Sequence, residues 1–249
     1  PAKDAAFGVA IIDSMDAGRP TLLVNDGAPK GLLIRLDAES FAHLETIEQP
    51  VAVPPISVVY GFGSEIATGQ LGPNDEFGVL VTAYLTALDD CSKAGAAFVL
   101  TGPDLATVSY TLLSPDACNG EKEYFGLQAL VTDVNRDGVI DLFVGVHYTA
   151  TGTMQAPALY LGNGDGSFED VTADWEVDEE KRATFGVASC DLDDDGQPEL
   201  LMSAYARGPD VLYAYDGATY EDVAEDAGTA FDDNKDYTDN QNFLCWCTV

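Results

Sequence analysis

The feature that most constrains this chain is a nine-residue pattern that occurs twice. Residues 133–141 (the first loop) and 191–199 (the second loop) both read D-x-[DN]-x-D-G-x-x-[DE]. Oxygen-bearing side chains at alternate positions, followed by a glycine, suit a tight loop around a hard cation. The odd-numbered side chains converge, and the glycine takes the sharp backbone turn. For one such loop alone, an acidic turn on a solvated surface is the competing interpretation; two copies in register favour calcium.

The pattern predicts a set of oxygen ligands in each loop. We expect the side chains at positions one, three, five and nine to bind Ca²⁺, together with the main-chain carbonyl at position seven. The predicted ligands are Asp133, Asn135, Asp137, Val139 and Asp141 in the first loop, and Asp191, Asp193, Asp195, Gln197 and Glu199 in the second.

These loops differ from an EF-hand. An EF-hand loop carries a bidentate Glu at position twelve and lies between helices. Here position twelve is Val144 or Met202, and short apolar runs follow at 142–145 and 200–203. Such runs are typical of buried strands. We therefore expect each loop to connect two strands.

Length and charge limit the function classes. The 249 residues are 46% hydrophobic, enough to build a substantial core in spite of the acidity. The net charge is −32, from 43 acidic and 11 basic residues. This charge argues against binding to nucleic acid or to anionic membranes. The longest apolar stretches fall short of a membrane span, so we expect no membrane insertion.

The two loops belong to a longer repeat. Phe-Gly dipeptides occur at residues 7–8, 77–78, 125–126 and 185–186, and apolar strands and Asn-Gly or Asp-Gly turns follow them. Four strands per unit, with a period of about fifty residues, predict an all-β fold, a β-propeller of four-stranded blades with the calcium loops between strands. The predicted units are 1–45, 77–118, 123–178 and 183–228, with an insertion at 46–76 and the start of a further unit at 229–249. The insertion is predicted to be either a functional loop or a plain linker.

This combination of motifs resembles the FG-GAP/VCBS repeat. The resemblance rests on Phe-Gly, the D-x-[DN]-x-D-G-x-x-[DE] loop, the apolar strand and the glycine turn before an aromatic residue, as in 163–168. It is strong over 125–228, weaker over 1–45 and 77–118, and absent over 46–76. The repeat builds the calcium-binding propellers of integrin α subunits and of secreted proteins such as the cartilage-acidic-protein-like group. The resemblance implies fold and calcium, but it does not specify an activity.

Two predicted units depart from the pattern. Their loops, at 13–18 and 90–95, keep Gly18 and Gly95 but lose most oxygen ligands, so we expect them to fold without metal. Cys91 lies in the second of these loops and Cys118 near the end of its unit. We expect a disulfide between them to replace the metal. Two unpaired buried thiols are the alternative.

The chain offers little support for catalysis. Its two histidines, His43 and His147, lie in strand-like contexts, and nucleophile-elbow, zinc-protease and P-loop motifs are missing from the sequence. We therefore predict that the protein is not an enzyme. Calcium and disulfides both suit an extracellular, cell-surface or periplasmic location.

The expected function is a binding, adhesion or self-assembling structural module. Its partner would be an extracellular protein, a glycan or further copies of the chain. The alternative is an enzyme that acts on polysaccharide, or the accessory domain of one. We also expect the chain to be incomplete or to be completed by a neighbour, with Cys245 and Cys247 near the junction. Pairing of either cysteine with Cys190 is one arrangement.

Overall fold

The regular secondary structure in the described part of the chain is almost entirely β-strand. The computed structural model describes residues 9–13, 20–26, 31–50, 56–88, 93–101, 109–113, 124–146, 156–177, 184–204 and 209–229. Within these ranges, helix is limited to one α-helical turn, α1 (Ala224–Ala227), and one 3-10 turn at Pro73–Asp75. No helix in this part of the protein has the length and apolarity needed to cross a membrane. The prediction of an all-β chain is confirmed.

Among the described residues, sixteen strands form four antiparallel four-stranded sheets, and within each of these sheets the strands lie in chain order. The first sheet contains β1 (Val9–Asp13), β2 (Pro20–Asn25), β3 (Leu33–Asp37) and β4 (His43–Ile47). The third sheet contains β11 (Phe125–Thr132), β12 (Asp141–Val146), β13 (Ala158–Gly162) and β14 (Phe168–Asp170). The fourth sheet contains β15 (Thr184–Cys190), β16 (Glu199–Ala204), β17 (Val211–Tyr215) and β18 (Tyr220–Asp222).

The second sheet begins earlier than the sequence predicts. It contains β6 (Ile66–Gly72), β7 (Glu76–Thr82), β9 (Ala97–Thr101) and β10 (Ser109–Leu113). A two-stranded sheet of β5 (Ile56–Val58) and β8 (Ala87–Leu88) accompanies it. Two segments of the predicted insertion at 46–76 are therefore strands, and one of them is the first strand of a four-stranded sheet. Gly69 and Gly72 lie inside β6, where Gly69 pairs with Gly78, whereas Gly61 and Gly63 lie in the turn that precedes it.

This shift changes the position of the Phe-Gly dipeptide at residues 77–78. Phe77 and Gly78 lie in β7, the second strand of the sheet, whereas Phe125 and Gly126 lie in a first strand. The connection that corresponds to the two calcium-type loops is consequently the turn at Pro73–Asp75. The degenerate loop at 90–95 instead precedes β9, the third strand, and its residues 90–92 lie outside the described ranges.

The central strands explain how neighbouring sheets pack. All six residues of β12 are buried. Phe143 packs in a cluster with the fourth sheet, while Leu142 and Val144 pack in a cluster with the second. Because successive side chains of a strand point to opposite faces, a continuous apolar run implies that both faces are covered. A third cluster joins the first and second sheets through Leu23, Leu33, Val79, Val81 and Phe98.

The first strands of successive sheets lie next to one another. β6 contacts β1 on one side and β11 on the other, and β11 also contacts β15. The four sheets therefore follow one another face to face in chain order, with their first strands on a common side. This order places the first loop, between β11 and β12, beside the second loop, between β15 and β16.

Candidate metal loops

The first loop is held in shape by its own polar side chains. Asp137 N–H donates to Asn135 Oδ1 at 3.0 Å, and Val139 N–H donates to Asp137 Oδ1 at 2.7 Å. Gly138 N–H donates to Asp133 Oδ2 at 3.0 Å. The side chains at positions one, three and five therefore accept backbone N–H groups from positions six, five and seven, and the loop curls around them.

The second loop repeats this scaffold. Asp195 N–H donates to Asp193 Oδ1 at 3.1 Å, and Gln197 N–H donates to Asp195 Oδ1 at 2.6 Å. Gly196 N–H donates to Asp191 Oδ2 at 2.8 Å. The same three bonds between the same positions show that the shared sequence pattern encodes a shared local fold.

Backbone conformation is duplicated as well. The residues at position four, Arg136 and Asp194, have φ of 62° and 61°, and the glycines at position six, Gly138 and Gly196, have φ of 86° and 87°. Glycine adopts this left-handed region without steric cost. Left-handed residues at positions four and six give both loops the same tightly curved backbone path.

The acid at position nine anchors each loop to its sheet. Asp141 is fully buried and accepts Val134 N–H at 2.8 Å and Gly162 N–H at 2.9 Å. Glu199 is also buried and accepts Leu192 N–H at 2.7 Å. Position nine thus binds the N–H of position two in both loops. It joins the loop to the start of the second strand.

Burial raises the pKa of Asp141 to about 6, although the Gly162 and Val134 N–H groups act to lower it. The nearby carboxylates of Asp137 and Asp133 raise the pKa further. A cation among these carboxylates would oppose the effect, because a positive charge favours the ionised form.

The structure brings part of the predicted ligand set together. In the second loop, Asp191, Asp193 and Asp195 each offer a carboxylate oxygen within 4.8 Å of the others, and all three are exposed. Glu199 is not part of this group. The predicted carbonyl ligands belong to Val139 and Gln197, whose N–H groups contact the position-five carboxylates.

In the first loop, one oxygen atom lacks a donor. Asp133 Oδ1 is buried and has no hydrogen-bond partner among the described residues, while Oδ2 accepts Gly138 N–H. A buried carboxylate oxygen without a partner carries a large desolvation cost. A cation would satisfy this atom. The donor set in both loops consists of oxygen only, which suits hard cations such as Ca²⁺ or Mg²⁺.

Two side-chain contacts that the sequence did not predict connect the loops. Arg136 Nη1 donates to Asp195 O at 3.0 Å, and Gln197 Nε2 donates to Val134 O at 2.6 Å. They occupy positions four and seven, where the pattern constrains no side chain. The difference between the two copies at these positions is the only sequence signal that could have identified them.

The remaining candidate residues lie away from this site or outside the described residues. His43 is exposed and hydrogen-bonded to Thr46 Oγ1 at 2.9 Å. Cys190, at the end of β15, is an exposed free thiol. The predicted Cys91–Cys118 disulfide, His147, Cys245, Cys247 and most of the loop at 13–18 fall outside the described part of the chain.

A family model described as an FG-GAP-like repeat matches residues 133–202. The match begins at the first residue of the first loop, includes the whole second loop and ends within β16. The predicted resemblance to this repeat is confirmed over that range. No curated protein matches the chain.

Proposed function

We propose that this chain is an extracellular, calcium-stabilised β-propeller that serves as a binding, adhesion or self-assembling module. The observation that carries the proposal is the duplication of one loop scaffold, with four equivalent hydrogen bonds, at the same connection of two neighbouring sheets. An FG-GAP-like repeat covers both loops. The unpartnered Oδ1 of Asp133 and the clustered carboxylates of Asp191, Asp193 and Asp195 favour a bound cation over a plain acidic turn.

Calcium is the cation that fits best. It takes six to eight oxygen ligands at about 2.3–2.6 Å and tolerates irregular geometry, whereas Mg²⁺ demands a small octahedron. Each loop offers four carboxylate or amide side chains and one carbonyl. The proposed ligands are Asp133, Asn135, Asp137, Val139 and Asp141, and Asp191, Asp193, Asp195, Gln197 and Glu199.

The proposed role of the ion is structural. When bound, it supplies positive charge among carboxylates that otherwise repel one another. The chain's own residues position the loops and hold their backbone. The position-nine acids fix the loops to β12 and β16, and the carboxylates at positions one and five hold the backbone curl. In a chain of net charge −32, neutralising these clusters lowers a large self-repulsion.

The arrangement of the sheets supports a propeller. Four meanders follow one another face to face, with apolar clusters between them and their first strands adjacent. In propellers, such sheets are blades around a central axis. We infer the integrin α-like form of this architecture, in which the cation loop connects the first two strands of a blade.

A binding role is favoured by exposed apolar residues at the edge of the first sheet. Phe41 is 65% exposed and Leu44 is 47% exposed, and β4 is the last strand of that sheet in the described chain. Exposed apolar groups beside an open strand edge are typical of contact sites. The high negative charge opposes association of such surfaces, so a divalent cation should promote it.

Analytical ultracentrifugation with and without calcium tests this proposal. We expect wild-type protein to form larger species in calcium, alone or with an extracellular protein or glycan partner. The Phe41→Ser/Leu44→Ser variant should form fewer of them. Magnesium at equal ionic strength is the control for screening. A protein that remains monomeric and hydrolyses a polysaccharide would instead support the alternative, a polysaccharide-acting enzyme.

A further inference from the structure

The two metal loops form one hydrogen-bonded unit. Arg136 of the first loop donates to the main-chain oxygen of Asp195, and Gln197 of the second loop donates to the main-chain oxygen of Val134. The bonds run in opposite directions between neighbouring sheets. Each loop therefore supplies one side-chain donor and one carbonyl acceptor to the other.

The contact is also close-packed. A Cβ atom at Gly196 would lie only 2.6 Å from Arg136 Nη2. The glycine therefore leaves room for the guanidinium as well as taking the left-handed turn. Arg136 itself has φ of 62°, and the equivalent residue of the second loop is Asp194 rather than a basic residue. The pairing uses complementary residues at non-ligand positions of the two copies.

A continuous path joins the proposed ligands of one loop to those of the other. Asp141 accepts Val134 N–H, and the carbonyl of Val134 accepts the Gln197 side chain. The N–H of Gln197 in turn donates to Asp195. Every step is a hydrogen bond of 2.6–2.8 Å. A change in the order of either loop therefore acts directly on ligands of the other.

We propose that Arg136 and Gln197 couple the two cation sites, so that binding at one loop raises the affinity of the other. This rests on the proposed function. Binding must first order a loop, and ordering backbone costs conformational free energy. When one ion has ordered its loop, the linked donors and acceptors of the other loop are already held in place. Binding of the second ion then costs less conformational free energy. The coupling is reciprocal.

Repulsion between the two ions acts in the opposite sense. Solvent and salt screen this repulsion over about 8 Å, since the second loop is exposed at residues 191–196 and the first at residues 136–138. The ordering effect is local and unscreened, because it acts through direct hydrogen bonds. We therefore expect net positive coupling of about tenfold, within the range that is usual between linked sites.

The test follows calcium binding at each loop separately by NMR, through the amide signals of Gly138 and Gly196. Asp133→Asn/Asp137→Asn weakens the first loop by removing two charges while keeping an oxygen at both positions. In otherwise wild-type protein, this change should raise the calcium midpoint at Gly196 by about threefold if the two loops have similar intrinsic affinities, and by up to about tenfold if the first loop fills first. In an Arg136→Ala/Gln197→Ala background, it should leave that midpoint unchanged.

Two controls guard against general damage. Asp194→Ala makes the same truncation, at the same left-handed position of the other loop, and should preserve the coupling. Gln197→Ala alone keeps the proposed carbonyl ligand and should remove part of the coupling. It is the variant to measure if the double variant proves poorly folded. Equal shifts of the Gly196 midpoint in both backgrounds, or no shift in either, would overturn the coupling while leaving calcium binding intact. If the Gly138 and Gly196 amide signals of wild-type protein do not respond to calcium, both the proposed function and the coupling are overturned.

Discussion

Removing calcium is expected to lower the free energy of unfolding by about 5 kcal/mol. An ion that binds only the folded state stabilises it by about 2.7 kcal/mol at a concentration one hundred times its dissociation constant, and the chain offers two such loops. Extracellular calcium modules bind with dissociation constants of roughly 10⁻⁴–10⁻³ M. Calcium at about 10 mM is therefore about one hundred times the dissociation constant of a site with a value of about 10⁻⁴ M. Urea unfolding in calcium and in chelator measures the difference.

The matched control removes charge from both loops at once. In Asp133→Asn/Asp137→Asn/Asp191→Asn/Asp195→Asn, the loops keep oxygen atoms that can accept backbone N–H groups but lose four negative charges. This variant should unfold at nearly the same urea concentration in calcium and in chelator. If wild-type protein shows no difference between the two conditions, the loops are not structural metal sites.

Gly95→Ala is expected to destabilise the protein by about 3–5 kcal/mol, independently of calcium. Gly95 has φ of +89°, and an added Cβ would lie 2.1 Å from the main-chain oxygen of Phe125 and 2.5 Å from its nitrogen. The segments that contain Gly95 and Phe125 cannot easily move away from each other. Gly95 N–H donates to Thr86 O at 3.0 Å, and Phe125 N–H donates to Ala94 O at 2.9 Å. The cost combines left-handed strain with overpacking.

Gly228→Ala separates the two contributions. Gly228 has φ of +72°, at the end of α1, and an added Cβ there meets nothing within 4 Å. It should cost about 1–2 kcal/mol from backbone strain alone. Thermal or urea unfolding of both variants gives the comparison. Equal losses in the two variants would show that the junction between the second and third sheets yields to the extra methyl group.

The Gly95 prediction illustrates where sequence reasoning fails in this chain. Gly95 lies five residues after Asp90, the same spacing that separates Asp133 from Gly138. It therefore resembles the turn glycine of a degenerate metal loop. In the structure it forms a parallel bridge with Phe125, at the contact of two sheets. Local spacing cannot distinguish a turn glycine from a packing glycine, because the contact that requires it comes from thirty residues further along the chain.

The loops themselves could be predicted because their geometry is local. Every bond of the scaffold within the first loop joins residues two to seven positions apart. The first strand of the second sheet could not be predicted in the same way. Its glycines and the nearby prolines favour a loop, and its strand character depends on pairing with β7 and packing near the third sheet.

The link between the loops was also beyond sequence reasoning. Arg136 and Asp195 are 59 residues apart, and Gln197 and Val134 are 63 apart. No periodicity joins them. Only the stacking of the third and fourth sheets brings them together.

Calorimetric titration of calcium into chelator-treated protein tests the central claim most directly. We predict saturable binding in wild-type protein, with one equivalent lost in Asp133→Asn/Asp137→Asn and another lost in Asp191→Asn/Asp195→Asn. Exothermic or endothermic heat serves equally well, because stoichiometry is the deciding quantity. No saturable binding in wild-type protein, or a stoichiometry that neither loop variant changes, would contradict the assignment of calcium to these loops.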